Sequence, residues 1–205
     1  MKKLVIKIHA VARPFVVVFF ALMFLFMWMP SGAQHRVSIQ VRPGASFATT
    51  RLADADLKTG YGLEGSVAYR VVPDIGLYAG WGWNGFSAGE SFAGRNMDFE
   101  ETGYAIGMQL FHPFSADLPF DYFLKAGLIL KHIEVESPDA GVISDSGHGA
   151  GFQVEAGLSF PAGDQWNVIP GIKYESLTRE LAVAGANYKS DLNYLSAGVT
   201  ISYTF

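Results

Sequence analysis

The stretch GYGLEGSVAYRV, beginning at residue 60, repeats with a period of two. One alternate set is Tyr61, Leu63, Gly65, Val67, Tyr69 and Val71, and the other is Gly62, Glu64, Ser66, Ala68 and Arg70. Such alternation puts two chemically different sets on opposite faces of a strand. The poverty of the less apolar face constrains the fold most. Over 148 to 160 the faces are Ala150, Phe152, Val154, Ala156, Leu158 and Phe160 against Gly151, Gln153, Glu155, Gly157 and Ser159. A soluble sandwich or lipocalin-like barrel would turn its apolar face inward and carry a dense coat of Lys and Glu outside. Large apolar residues on one side and small ones on the other suit a closed barrel in lipid, with a narrow interior filled by a few long polar chains. Closure also removes the sheet edges that lipid does not tolerate.

The pattern recurs in eight segments, near 36 to 47, 59 to 71, 75 to 87, 98 to 111, 120 to 135, 148 to 160, 166 to 181 and 189 to 205. Short turn signals at 72, 112 and 161 alternate with longer polar stretches near 48 to 58, 88 to 97, 137 to 147 and 182 to 188. The expected fold is therefore all-β, a closed eight-stranded antiparallel up-and-down transmembrane β-barrel. An even strand number leaves both termini on the side of the short turns, which in the bacterial outer membrane is the periplasm. Aromatic residues fall where interfacial girdles belong: Tyr69, Phe111, Tyr122, Phe160, Trp166, Tyr203 and Phe205 beside the short turns, and Tyr61, Trp81, Trp83 and Tyr104 towards the long loops.

The N-terminus supplies an export address. Lys2, Lys3, Lys7 and Arg13 precede the apolar run from Phe15 to Met29, and Ser31 and Ala33 occupy the small-residue positions of a cleavage site between Ala33 and Gln34. A spanning helix wants about 20 apolar residues, more than this run offers. The chain thus divides into a signal peptide, 1 to 33, and a barrel domain, 34 to 205. Half of the residues are hydrophobic and 17% are charged, a composition too apolar for an ordinary soluble domain. Loss of the four leader cations leaves 11 basic against 19 acidic residues, a net charge near −8 that disfavours nucleic acid as a partner. The absence of cysteine excludes disulfides, thiolate chemistry and lipidation through cysteine.

These features resemble those of the small OmpA/OmpX-like outer-membrane β-barrel proteins. The most specific part of the likeness is the terminal pattern Ser196-x-Gly198-x-x-Ile201-x-Tyr203-x-Phe205. In that family a last strand ending in Phe resembles the signal read by the barrel-assembly machinery, so the resemblance implies that machinery as a partner during biogenesis. The larger OmpA-type proteins continue into a peptidoglycan-binding domain that has no counterpart here, so wall anchoring is not implied. The remaining expected partners are outer-membrane lipid and lipopolysaccharide, with a monomer as the expected state.

Alternation places Arg42, Glu64, Arg70, Glu101, Lys125, Lys131, Glu155, Lys173 and Glu175 inside, with Gly80, Gly103, Gly107, Gly127, Gly157 and Gly171 leaving volume for them. Isolated charges in a narrow interior cost several kcal/mol each, so pairing is expected. A salt-bridged plug is the first reading of this set, and a small-conductance pore whose pairs switch partners is the second, motivated by the basic surplus among the nine. The loop carboxylates read as a solvated rim, and no cofactor or metal site is assigned. Two other functions are open to such a barrel. An acyl hydrolase acting on lipid A would need serine, histidine and acid at the outer rim, where His132, Glu134, Ser144, Ser146 and His148 gather, although no His-x-Ser pair is present. An adhesin would act through its loops. The reading adopted is a non-enzymatic envelope-structural barrel with minor porin or surface-interaction activity.

Overall fold

The computed structural model describes residues 36–205 other than 116 and 184. The expected signal peptide and its cleavage pair, Ala33 and Gln34, lie outside the described residues. Nine strands follow in order: β1 (Val37–Ala48), β2 (Gly60–Arg70), β3 (Ile75–Ser91), β4 (Gly94–Pro113), β5 (Asp121–Ser137), β6 (Gly141–Asp145), β7 (Gly149–Pro161), β8 (Trp166–Val183) and β9 (Ala186–Thr204). They fill eight positions of one antiparallel ring, β1-β2-β3-β4-β5-β7-β8-β9, and β9 returns to β1. The ninth strand arises inside the expected loop 137 to 147. There β6 pairs with β5 from Glu134↔Asp145 to Ser137↔Gly141, and β7 pairs with the same edge of β5 below Lys131↔Gly149. The two strands are thus one interrupted wall element, broken at residues 146–148.

Two other expected loops are also strand. The β3–β4 hairpin runs to Ser91↔Gly94, and the β8–β9 hairpin to Val183↔Ala186. Their strands are 17 to 20 residues long, whereas a tilted strand crosses the hydrocarbon in about 9 to 11. The reversal of faces along β5 explains the excess. From Leu124 to Leu130 the outward residues are apolar and exposed, while Lys125, Ile129 and Lys131 are buried. Above that point His132, Glu134 and Glu136 face out and Ile133 and Val135 face in. β4 changes in the same way, from outward Met108, Ile106 and Tyr104 to outward Thr102, Glu100 and Asp98. Below the change the wall meets lipid, and above it the hairpins stand in water with an apolar interior.

The interior is layered accordingly. An apolar cluster that includes Phe86, Phe99, Ile133, Val135, Leu177, Leu181 and Leu192 fills the half towards the long hairpins. Leu52 and Ala55 of the β1–β2 connection, both fully buried, fold in to cap it. The middle layer is charged, and a polar mouth opens at the end carrying the short turns. Phe111 corrects the expected aromatic girdle, because it faces inward at this mouth and packs on buried Phe123 at 4.9 Å.

Glycines allow this filling by bringing backbones together. Gly107 lies opposite Gly127, and a Cβ on Gly107 would fall 2.1 Å from the Ala126 carbonyl oxygen and 2.5 Å from Gly127 Cα. Neither atom can move without parting β4 from β5. Gly107→Leu is therefore expected to lower unfolding free energy by about 1–3 kcal/mol in urea titrations of the micelle-bound barrel, the usual range for overpacking.

Candidate functional site: a charged belt inside the barrel

The middle layer comes from the inward alternate positions of six of the eight wall segments. Arg42 is opposite Glu64 in the β1–β2 register, Lys125 is opposite Glu155 between β5 and β7, and Glu155 is opposite Lys173 between β7 and β8. Register would allow these neighbours to pair along the wall. The actual contacts cross the interior instead. Arg42 Nε donates to Glu155 Oε1 at 2.8 Å, joining β1 to β7. Glu64 on β2 receives Lys125 Nζ at 2.5 Å and Lys173 Nζ at 3.0 Å, from β5 and β8. Lys173 then meets Glu175 at 3.0 Å, Glu175 meets Lys131, and Lys131 meets Glu101 at 3.2 Å. The outcome is an unbroken alternation, Lys125, Glu64, Lys173, Glu175, Lys131, Glu101, with Arg42–Glu155 beside it. Every side chain in it is at most 5% exposed.

Of the nine expected charges these eight are buried, four basic and four acidic, and they are the buried charged residues among those described. Arg70 is the exception. It is exposed at the mouth, because its strand ends there, and the basic surplus that motivated a switching pore disappears with it.

Neutral partners complete the belt. Tyr194 donates its hydroxyl to Glu101 Oε2 at 2.7 Å and receives Asn84 Nδ2 at 2.7 Å, and Ser46 donates to Asn84 Oδ1 at 2.8 Å. Arg42 also donates to the hydroxyl and carbonyl oxygens of Ser196. Lys125 Nζ sits 4.2 Å above the Tyr78 ring, whose hydroxyl accepts from Gln153. Sequence reasoning passed over these uncharged members, although their inward positions in the alternation were available as a signal. Below the belt Gln40 donates to Gln109 and accepts from Ser66, closing the floor of the mouth.

The outer-rim candidates are brought together in part. His132 Nδ1 lies 3.0 Å from Asp145 Oδ1 and 3.9 Å from Glu134, and its ring stacks on His148 at 4.5 Å. Burial pushes the Asp145 carboxyl up, but the His132 hydrogen bond and the Gly147 amide outweigh it and hold the group below its ordinary value. Burial, followed by Glu100, Glu134 and Asp98, raises Glu136. The donor atoms of His132, Glu134 and Asp145 lie within 4.8 Å of one another, as do those of Glu100, Glu134 and Glu136, close enough to meet around one divalent cation. The serines do not complete a catalytic arrangement. Ser146 Oγ accepts from the Ile133 amide and donates to the Gly147 carbonyl, and Ser144 is buried on β6. Among the described residues neither hydroxyl reaches an imidazole.

Residues 18–205 match the model of the outer membrane protein beta-barrel domain family. The chain belongs to that family. Its fold is similar to that of Neisserial surface protein A, at 14% identity and TM-score 0.56, covering 82% of this chain and 96% of that one. It is also similar to the outer membrane protein W of E. coli, at 12% identity and TM-score 0.55, covering 84% and 98%. The protein AlkL gives 13% identity and TM-score 0.54, covering 86% and 93%. Comparison with curated protein sequences finds no match. The family sets the protein in the outer membrane, and the exposed apolar band is its lipid-facing surface.

Within this family member the terminal-pattern residues serve both faces of β9. Ser196 is inward on Arg42, Gly198 lies opposite Gly44, and Ile201 is outward and exposed. Tyr203 packs between Trp166 and Phe205 at 4.8 and 5.0 Å.

Removing one member of a buried, paired set strands its partner in a water-poor interior, at a cost of about 3–5 kcal/mol. Lys131→Met leaves Glu101 without a cation and Glu175 with Lys173 alone, and should lower unfolding free energy by that amount. Arg70→Gln, at the exposed mouth, should change it by less than about 1 kcal/mol. Urea unfolding of both variants in micelles measures the contrast.

Proposed function

We propose that this outer-membrane protein is a structural barrel of the envelope, non-enzymatic, with its interior closed by the charged belt. Its termini and short turns face the periplasm. Residues 1 to 33 act as the export signal, and the barrel-assembly machinery inserts the remaining chain as a monomer. The single observation that carries the closed-interior reading is the set of chords across the ring. Arg42–Glu155, Glu64–Lys125, Glu64–Lys173 and Lys131–Glu175 each join strands that are not neighbours in the ring, and the four cations and four anions of the belt have almost no exposure. An ion passing the belt would have to separate pairs whose alternative partners are already occupied. The capped apolar cluster beyond them opposes a water path again. Surface interaction is the second reading, supported by the union of the two projecting hairpins, where Phe92 packs on Tyr188 at 4.7 Å and on Phe99 at 5.9 Å.

Planar-bilayer recordings test the first reading. The wild-type protein should show no discrete conductance, whereas Glu155→Ala, which frees Arg42, should admit small, brief openings. Discrete steps in the wild type would refute closure. The assembly role is tested separately by deleting Phe205, which should slow insertion in cells, read as loss of the heat-modifiable folded form. Insertion at the normal rate would remove the assembly signal from this reading.

A further inference from the structure

At the short-turn end the ring encloses a polar cavity of about 160 Å³. Arg36 and Arg70 face it from one wall. The Arg70 amide donates to the Arg36 carbonyl at 2.7 Å, which sets the two arginines directly opposite each other across the β1–β2 pair. Like charges in that relation repel and destabilise a sheet. Among the described residues neither guanidinium has a carboxylate within ion-pairing distance, although the belt above is fully paired. The cavity also receives the buried hydroxyls of Ser38 and Ser202, which no other described side chain engages. Asp121 lies on the lining as well, and the Gln40–Gln109 hydrogen bond closes the floor.

We infer that this mouth is a binding site for a small oxyanion, a phosphate or carboxylate group held between Arg36 and Arg70. Two opposed guanidiniums offer forked donors that match the oxygens of such a group, and charge-assisted hydrogen bonds of this kind are the strong ones. The neutral hydroxyls supply further donors without adding charge. With Asp121 present the lining is net positive by one, which suits a monoanionic group better than a highly charged one. The closed floor makes this a place of residence rather than of passage. The anion's presence would also remove the repulsion within the β1–β2 pair, next to the seam where the barrel closes. The site needs neither the structural role nor the membrane orientation proposed above. The same chemistry could come from a free solute or from a lipid headgroup.

The test uses the barrel in maltoside micelles, which contain no phosphate, titrated with inorganic phosphate at ionic strength held constant with chloride. Arginine Nε–Hε signals are followed by NMR. Those of Arg36 and Arg70 should move saturably. Binding should weaken about tenfold or more in the Arg36→Gln/Arg70→Gln double variant and tighten about threefold in Asp121→Asn. Heat-modifiable mobility checks that the variants fold, as expected for exposed positions. In phosphatidylglycerol nanodiscs, signals already displaced before phosphate is added would identify a lipid headgroup as the occupant. Signals that move only on addition would identify a free solute. Shifts in micelles that are linear in phosphate, or that persist unchanged in the double variant, would overturn the inference.

Discussion

The pairing of β1 with β9 is the constraint on which everything else depends. It runs from Ser38↔Thr204 to Ala48↔Tyr194 and leaves out Arg42 and Pro43, of which the proline has no amide to give. Without this seam the sheet would have two edges whose amides and carbonyls could find no partner in hydrocarbon. The seam therefore explains why the C-terminal strand is ordered to its end, with the Phe205 amide donating to the Val37 carbonyl at 3.0 Å. It also gives the ring its small circumference. Eight positions leave an interior only wide enough for side chains, so every inward residue must be chosen against the wall opposite.

That choice accounts for the belt. A narrow interior brings β1 within reach of β7, and β2 within reach of both β5 and β8, so long side chains from opposite walls meet in the middle. Glycines stand where those chains lie. A Cβ on Gly198 would come within 2.9 Å of Arg42 Cζ, and one on Gly127 within 2.2 Å of the Tyr78 hydroxyl oxygen. The chords are not needed to hold backbone groups together, which the ring already does. They make one circumference and one register the arrangement in which all eight charges are answered, since sliding a strand by one residue would turn its charge into lipid.

Much of this could be read from the chain, and what could not has a physical cause. Alternation in GFQVEAGLSF and YLSAGVTISYTF separates the two faces, because lipid and lumen ask for opposite residues. It could also put Glu64 or Lys173 inside. It could not choose Arg42–Glu155 over Arg42–Glu64, since a chord depends on ring size and not on neighbouring register. The loop and strand limits fell short for a different reason. The runs at 88 to 97 and 182 to 188 read as loops because small and polar residues interrupt the alternation there, although the ladders continue to Ser91↔Gly94 and Val183↔Ala186. A second alternation with its phase reversed, Ile133 and Val135 in and Glu134 and Glu136 out, was present in the sequence and marks the exit from lipid.

The same reversal organises the molecule along its axis. In the lipid band the hydrophobic effect acts on the outside of the wall and gives the interior no reason to be apolar, so the interior can hold charge provided that it is paired. Above the band water takes the outside, and apolar residues must move inward to be buried, which creates the Phe86, Phe99 and Leu181 cluster. At the opposite mouth the strands end before any such exchange, and Arg36 and Arg70 meet water directly. One wall, continuous in its hydrogen bonds, thus carries three interiors because its surroundings differ at three levels. Paired charges and the apolar cluster fill its middle and upper layers, whereas the polar cavity at the mouth opens between the strand ends.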